Sequence, residues 1–282
     1  MTLHHSPLKI DLSGIIRSRL GSRSRMIPGV LLRMLEGIIC QDELNRLLEL
    51  TFPERGSRFS LALLRELDID VTTEGLDNLP QAEAFEWASN HPLGGLDGIA
   101  LVGILGRKYG DDRLRVLVND LLLNVEPLRD VFLPVNKFGA QGRRNAVEIN
   151  RAFAEGKQIL MFPAGLVSRI HPDGEIRDLE WQKAFVVKAL EFGRRIVPVR
   201  FEALNSQRFY RTARWRKLLR LKVNIEQVLL PSELCRARGK KFRIIFGEPI
   251  DPAPLRASGM TPAQIAAMIR NRVCDPDFKA AR

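Results

Sequence analysis

From residue 69 onward the chain alternates short β-rich runs with longer amphipathic stretches, and this alternation constrains the fold more than any other feature. IDVTT at 69–73, FEWAS at 85–89, RVLVN at 115–119, VFLPV at 131–135, QILMF at 158–162, IVPVRF at 196–201 and FRIIFG at 242–247 read as strands. Helical spacing fills the gaps near 98–109, 120–128, 143–155, 180–193 and 206–220. Such alternation argues an α/β sheet with helices packed on it. VSRIHPDGEIRDL at 167–179 reads as a hairpin turning at Asp173-Gly174. Thr261-Pro262 opens a closing helix through about 273, a cap residue followed by proline at the first helical position. The first 69 residues read differently. Apolar side chains recur at helical spacing over 29–50, a break falls at TFPERG (51–56), and a shorter helix is expected at 60–67. The expected organisation is therefore an N-terminal helical extension (1–69) ahead of an α/β domain with a C-terminal helix (70–282).

Composition narrows the class without naming a function. Apolar residues at 45% and charged residues at 27% of 282 exclude wholesale disorder, collagen-like repeats and a polytopic membrane protein. The three cysteines, Cys40, Cys235 and Cys274, form no C-x-x-C pair, which fits a reducing cytoplasm better than a disulfide framework. The opening MTLHHSPLKIDLSG has no apolar h-region, and no run approaches the roughly 20 apolar residues of a spanning helix. A membrane role would therefore be a surface role.

The charge is unusual: 44 Lys+Arg against 33 Asp+Glu, a formal +11. Residues 208–222 carry seven basic side chains and no acid, and residues 236–243 carry five more. Without these twelve the balance is 32 against 33, so the excess sits in two C-terminal segments. A smaller cluster, Arg17, Arg19, Arg23, Arg25 and Arg33, lies near the N-terminus. Such segments suit an anionic lipid, an acidic protein or a nucleic acid, or are simply solvated.

The segment richest in chemistry is NHPLGGLDG at 90–98, between a strand and the apolar run IALVGIL. Ligands collect at strand ends in α/β sheets, and His91 stands at one. Fully extended, the six steps from His91 to Asp97 span about 20 Å, so the two side chains meet only if the chain doubles back. Gly94-Gly95 permits that. Asp97 then accepts from one imidazole nitrogen and leaves the other as a base near neutral pH. Each residue also has a plainer reading, Asp97 as a helix cap and His91 as an ordinary turn residue. Together, with the double glycine between them, they favour the functional one. Gly103, Gly106 and Gly110 fall in the following helix, where packing or helix ending accounts for them. No G-x-S-x-G elbow, P-loop or G-x-G-x-x-G fingerprint is present, and nothing completes a metal site around His4-His5.

These residues carry a family resemblance. NHPLGGLDG resembles the His–Asp motif of the glycerolipid (lysophospholipid) acyltransferase superfamily. FLPVNKFG (132–139), FPAGLVSR (162–169) and IVPVRFEA (196–203) resemble its second, third and fourth blocks in order, covering about residues 70–250. Two departures stand out. The spacing is His-x5-Asp in place of His-x4-Asp, and Ala164 occupies the position of the usual third-block Glu, with Ser168-Arg169 displaced by one. Both point to the hemolysin-like branch, which includes acyltransferases completing ornithine and glycine aminolipids.

The resemblance implies a glycerol-3-phosphate acyltransferase-like mixed sheet and direct acyl transfer to a lysolipid hydroxyl from an acyl-carrier-protein or acyl-CoA thioester, with no bound cofactor and no metal. His91 would remove the hydroxyl proton, and Asp97 would hold the tautomer and stabilise the imidazolium. Backbone N–H groups around Gly165 would serve the oxyanion, while Lys137, Arg143, Ser168 and Arg169 would bind the acceptor or carrier. A lyso-ornithine or lyso-glycine acceptor is favoured, with 1-acylglycerol-3-phosphate as the alternative. A peripheral position on the inner face of the cell membrane is expected, through 29–39 and 208–222. The different-class alternative, a nucleic-acid binder using RFYRTARWRK, leaves NHPLGGLDG unexplained, so no nucleic-acid partner is expected.

Overall fold

The computed structural model describes residues 9–21, 28–119, 122–123, 125–135, 139–220 and 224–282. Helices α1 (Leu12–Leu20), α2 (Gly29–Ile38), α3 (Gln41–Thr51) and α4 (Gly56–Glu66) precede β1 (Asp70–Glu74) and β2 (Glu86–Ser89). Then follow α5 (Leu96–Tyr109), β3 (Leu114–Val118), β4 (Phe132–Pro134), α6 (Gly139–Ala154) and β5 (Gln158–Met161). The hairpin β6 (Arg169–Ile170) and β7 (Ile176–Arg177) leads into α7 (Ala184–Phe192), β8 (Ile196–Glu202) and α8 (Gln207–Leu218). The chain closes through α9 (Leu230–Arg236), β9 (Lys241–Phe246), α10 (Pro252–Ala257) and α11 (Pro262–Cys274).

Among the described residues the main sheet has seven strands in the order β1-β9-β8-β2-β5-β3-β4. It is mixed, because β8 and β9 pair antiparallel while the other neighbours pair parallel. Alternate residues feed two apolar layers. Trp87 and Leu160 join Leu101 and Leu105 of α5 on one side. Ala88 and Ile159 join Phe185 of α7 and Ile265 of α11 on the other. Burial on both faces is why these strands read as continuous apolar runs. From β2 the chain crosses through α5 to β3, whereas from the adjacent β5 it crosses through α7 to β8. Neighbouring strands that depart in opposite directions open a crevice at their carboxyl ends.

Every expected strand is present, within a residue or two at each end. The helical reading over 29–50 is corrected: Cys40, at φ 56, separates α2 from α3. The helix expected at 120–128 is replaced in part by a 3-10 turn over Glu126–Val131, since Pro127 lacks an N–H and disfavours helical geometry at the residue before it. Thr261 caps α11 in a full capping box with Gln264. The N-terminal helices are built into the core, because Leu47, Phe59, Leu63 and Leu64 share one buried cluster with Trp87 and Leu101. Gly106 allows α4 and α5 to meet closely, since a Cβ there would stand 2.7 Å from Cβ of Ser57.

Candidate active site

At the carboxyl end of β2, Asn90 continues the ladder with its side chain. Its Oδ1 accepts from Phe201 N–H at 2.7 Å, and its Nδ2 donates to the Phe201 carbonyl at 3.0 Å. His91 follows two residues beyond Ser89, the last residue of β2. The chain then reverses at Gly94, whose φ of +81 suits glycine. Space demands glycine as well, because a Cβ there would lie 2.6 Å from Cγ2 of Val167. The reversal brings Asp97, in the first turn of α5, back to the histidine.

His91 Nδ1–H donates to Asp97 Oδ2 at 3.0 Å. The same oxygen accepts from the N–H groups of Leu93 at 2.9 Å and Gly94 at 3.2 Å, and Oδ1 accepts from Gly98 N–H at 2.9 Å. A carboxylate ringed by donors can only accept, so the proton belongs on Nδ1 and Nε2 is left as the basic nitrogen. The Asp97 side chain is fully buried, while that of His91 keeps 16% exposure. The His91 ring lies against Phe162, centroids 4.3 Å apart and planes inclined at 34°. Burial alone would depress the imidazole pKa, but the charge and hydrogen bond of Asp97 outweigh it and hold His91 above its ordinary value. Burial would raise Asp97, yet His91 and the backbone donors hold it below the usual carboxylate value. Asp97 also sits where the α5 dipole favours negative charge. It is both a helix-terminus carboxylate and the partner of His91.

The remaining expected residues lie in different settings. Gly165, at φ 66, spends its own N–H on the Phe162 carbonyl at 2.9 Å. Ser168 is buried, donating its N–H to the His91 carbonyl at 2.9 Å and its hydroxyl to Asp178 Oδ1 at 2.6 Å. Arg169 is also buried, 2.9 Å from Oε1 of Glu226, whose other oxygen lies 3.0 Å from Arg216 of α8. These contacts are close without aligning as hydrogen bonds, so the attraction is Coulombic. Burial lowers the Arg169 pKa, with Glu226 opposing. Arg143 is exposed on α6. Lys137, with His4-His5, Arg23, Arg25 and Lys222, lies outside the described residues. Phe162, Asp178 and Glu226 were not singled out from the sequence. Phe162 stood inside a recognised block, whereas the two acids meet their partners only through the tertiary fold.

The two basic segments differ in state. In 236–243, Arg238 pairs with Glu43 at 2.6 Å, Arg243 with Glu74 at 2.6 Å and Lys241 with Asp70 at 3.9 Å. On α8, Arg211 and Arg214 are exposed and make no ion pair among the described residues. They line a cavity of about 690 Å³ with Trp215 and Leu218. Val30, Leu31 and Met34 of α2 are exposed, and no residue of that helix is buried. Among the described residues no helix is long and apolar enough to cross a membrane.

Known proteins place this geometry in context. A family model described as Acyltransferase matches residues 15–274. The lyso-glycine lipid O-acyltransferase of Phocaeicola vulgatus is 41% identical over 264 residues, covering 94% of each chain. That of Bacteroides thetaiotaomicron is 39% identical over 264 residues, covering 94% of this chain and 96% of its own. Among solved structures, the 1-acyl-sn-glycerophosphate acyltransferase PlsC of Thermotoga maritima aligns with a TM-score of 0.46 and 17% identity, over 90% of this chain and 98% of that one. With a family match over residues 15–274 and relatives at 41% and 39% identity over 94% of its length, the chain belongs to the acyltransferase family.

Proposed function

We propose that the chain is a lyso-glycine lipid O-acyltransferase, moving a fatty acyl group from a thioester onto the hydroxyl of a lysolipid. The observation that carries the chemistry is the 3.0 Å contact between His91 Nδ1 and a buried Asp97, which in the neutral ring leaves Nε2 as the basic nitrogen. The acceptor class rests on the two relatives at 41% and 39% identity.

In this reading Nε2 of His91 takes the acceptor hydroxyl proton as that oxygen attacks the thioester carbonyl. The tetrahedral intermediate collapses with breakage of the C–S bond, and the imidazolium returns the proton to the departing thiolate. Asp97 stabilises the imidazolium through the step. A thioester is already activated, so no covalent acyl-enzyme is required. General base catalysis supplies ~10²–10⁴-fold, and positioning and oxyanion stabilisation supply the rest. Arg143, exposed on α6, and Lys137 are the cations assigned to an anionic group of the acceptor or the carrier. Arg169, held by Glu226, is assigned to shaping the wall beside the catalytic loop. The reading includes peripheral contact with the inner face of the cell membrane, supported by the exposed basic and apolar side chains of α8 and by the exposed apolar stripe of α2.

The test is acyl transfer by purified protein to lyso-glycine lipid, lyso-ornithine lipid and lysophosphatidate, each with acyl-carrier-protein and acyl-CoA donors. Preference for the glycine acceptor, with transfer abolished by His91→Ala in a folded protein, is expected. Preference for lysophosphatidate overturns the acceptor assignment, and near wild-type turnover by His91→Ala overturns the mechanism.

A further inference from the structure

The backbone of His91 is held on one side by a buried acid and on the other by a serine bonded to that acid. Asp178, just beyond β7, is 1% exposed. Its Oδ1 accepts from His91 N–H at 3.1 Å and from the Ser168 hydroxyl at 2.6 Å, and its Oδ2 accepts from Trp181 Nε1–H at 2.8 Å. Ser168 in turn gives its N–H to the His91 carbonyl at 2.9 Å. The N–H and C=O of His91, the main chain and hydroxyl of Ser168 and the carboxylate of Asp178 therefore form a closed ring. Two of the three donors to Asp178 are obligate, so the site is built for a carboxylate.

The ring is anchored to the core. Trp181 packs edge-on against Phe185 with centroids 5.7 Å apart, within the apolar layer under α7. Arg270 of α11 donates to the carbonyls of Asp178 and Leu179, the latter at 2.8 Å. The apolar layer under α7 thus reaches the His91 backbone through Trp181 and Asp178. The charged groups acting on His91 are Asp97 from α5, Asp178 beyond β7 and Arg169 from β6; the two acids favour the imidazolium and the arginine opposes it. Asp178 itself also faces Tyr210 of α8 and Cys274 of α11.

We propose that Asp178 is a positioning residue for the transfer reaction, holding the His91 backbone at the mouth of the crevice and adding a second negative charge behind the imidazole. The inference rests on the reading of His91 as the base. It assigns to a residue 87 positions downstream of His91 a role in both the placement and the basicity of that histidine.

Two variants separate the two parts. Asp178→Ala removes the clamp. A misplacement of the order of 1 Å costs about 10²-fold, so kcat should fall by about that factor while KM for the acceptor stays near wild type. Asp178→Asn combined with Trp181→Phe keeps an acceptor for His91 and Ser168, removes the charge and avoids setting an amide N–H against the indole N–H. Its kcat–pH profile should keep its shape with the acid limb displaced to lower pH, because His91 loses one of the charges that favour its protonation. Circular dichroism establishes that each variant is folded. Where either is not, Ser168→Ala, which removes one hydroxyl from the ring, carries the test and should lower kcat at constant KM. Wild-type kcat together with an unmoved acid limb in folded variants overturns the proposal while leaving His91 as the base. An active His91→Ala protein overturns both.

Discussion

Replacing Asp97 with asparagine removes one charge and almost no volume, and the geometry fixes how the amide will sit. Oδ2 accepts from three donors, His91, Leu93 and Gly94, whereas Oδ1 accepts from Gly98 N–H alone. The asparagine oxygen will take the Oδ2 position and the amine will face Gly98. The neutral tautomer of His91 is therefore kept, and the loss falls on the imidazolium that forms during transfer. At an effective dielectric of about 20, opposite charges about 4 Å apart attract by about 4 kcal/mol, equivalent to about 10³ in rate. Turnover should fall by about that factor with KM little changed. The basicity of His91 should fall too: Asp97 is what lifts it above its ordinary value against burial, so without that charge the acid limb of the kcat–pH profile moves to lower pH. Stability shifts separately. Asp97 ionises below its ordinary pKa in the folded state, so its contribution is complete above about pH 4 and is lost as pH falls through the lowered value. The variant should lose that dependence, and the opposed amine and Gly98 N–H should cost about 1–3 kcal/mol. Transfer of radiolabelled acyl chains over a pH series, with urea unfolding at each pH, reads all three. Turnover within tenfold of wild type, or an acid limb that does not move, would refute the reasoning.

Glu226 is fully buried between Arg169 and Arg216. Glu226→Gln should destabilise by about 3–5 kcal/mol, as expected when the buried Arg169 and the half-buried Arg216 lose their shared counter-ion; Arg169→Met, which keeps the Arg216 pair, should cost less, and equal losses in urea unfolding would refute the assignment. Neutralising Arg211 and Arg214 to glutamine should weaken partition onto anionic liposomes. At about 1 kcal/mol per cation near an anionic leaflet, the loss is roughly 30-fold; flotation at low salt that is unchanged by the double substitution removes α8 from the membrane-contact surface.

The strands were legible because burial on both faces writes itself into sequence as short apolar runs. IVPVRF became β8, whose Ile196, Val197 and Val199 are all buried. The His91–Asp97 pair was legible for a related reason: all the residues needed to double the chain back lie within seven positions, with glycine at the turn. The break at Cys40 was not, because the apolar spacing runs through it unchanged and only the left-handed backbone interrupts the helix. Asp178 and Glu226 were hidden by distance along the chain. Glu226 lies 57 positions downstream of Arg169, and no local pattern marks either acid as a partner. Ser168 and Arg169 were found by motif, but their hydrogen-bond and ion-pair partners depend on where the following hairpin and α8 dock.

The same distinction resolves the positive charge. Cations of 236–243 lie along β9 and its approach, where β1 and α3 supply acids, so Arg238, Lys241 and Arg243 are each matched by Glu43, Asp70 or Glu74. Exposed pairs of this kind add little stability, but they cancel the local field that an external anion would meet. Helix α8 is different because its two faces are used differently. Arg216 turns inward to Glu226, and Phe209 and Tyr210 are buried in a cluster with Val167, the side chain that a Cβ on Gly94 would strike. Arg211, Arg214, Trp215 and Leu218 are exposed. Exposed cations in no ion pair among the described residues thus remain at Arg236 and Lys240 and on α8, and α8 alone of the two segments packs its inner face, through Phe209 and Tyr210, against Val167. Helix α8 and the loop at His91 share one buried cluster, Phe209 and Tyr210 with Val167, so on the proposed function a surface that holds α8 would also set the direction from which an acceptor hydroxyl reaches Nε2.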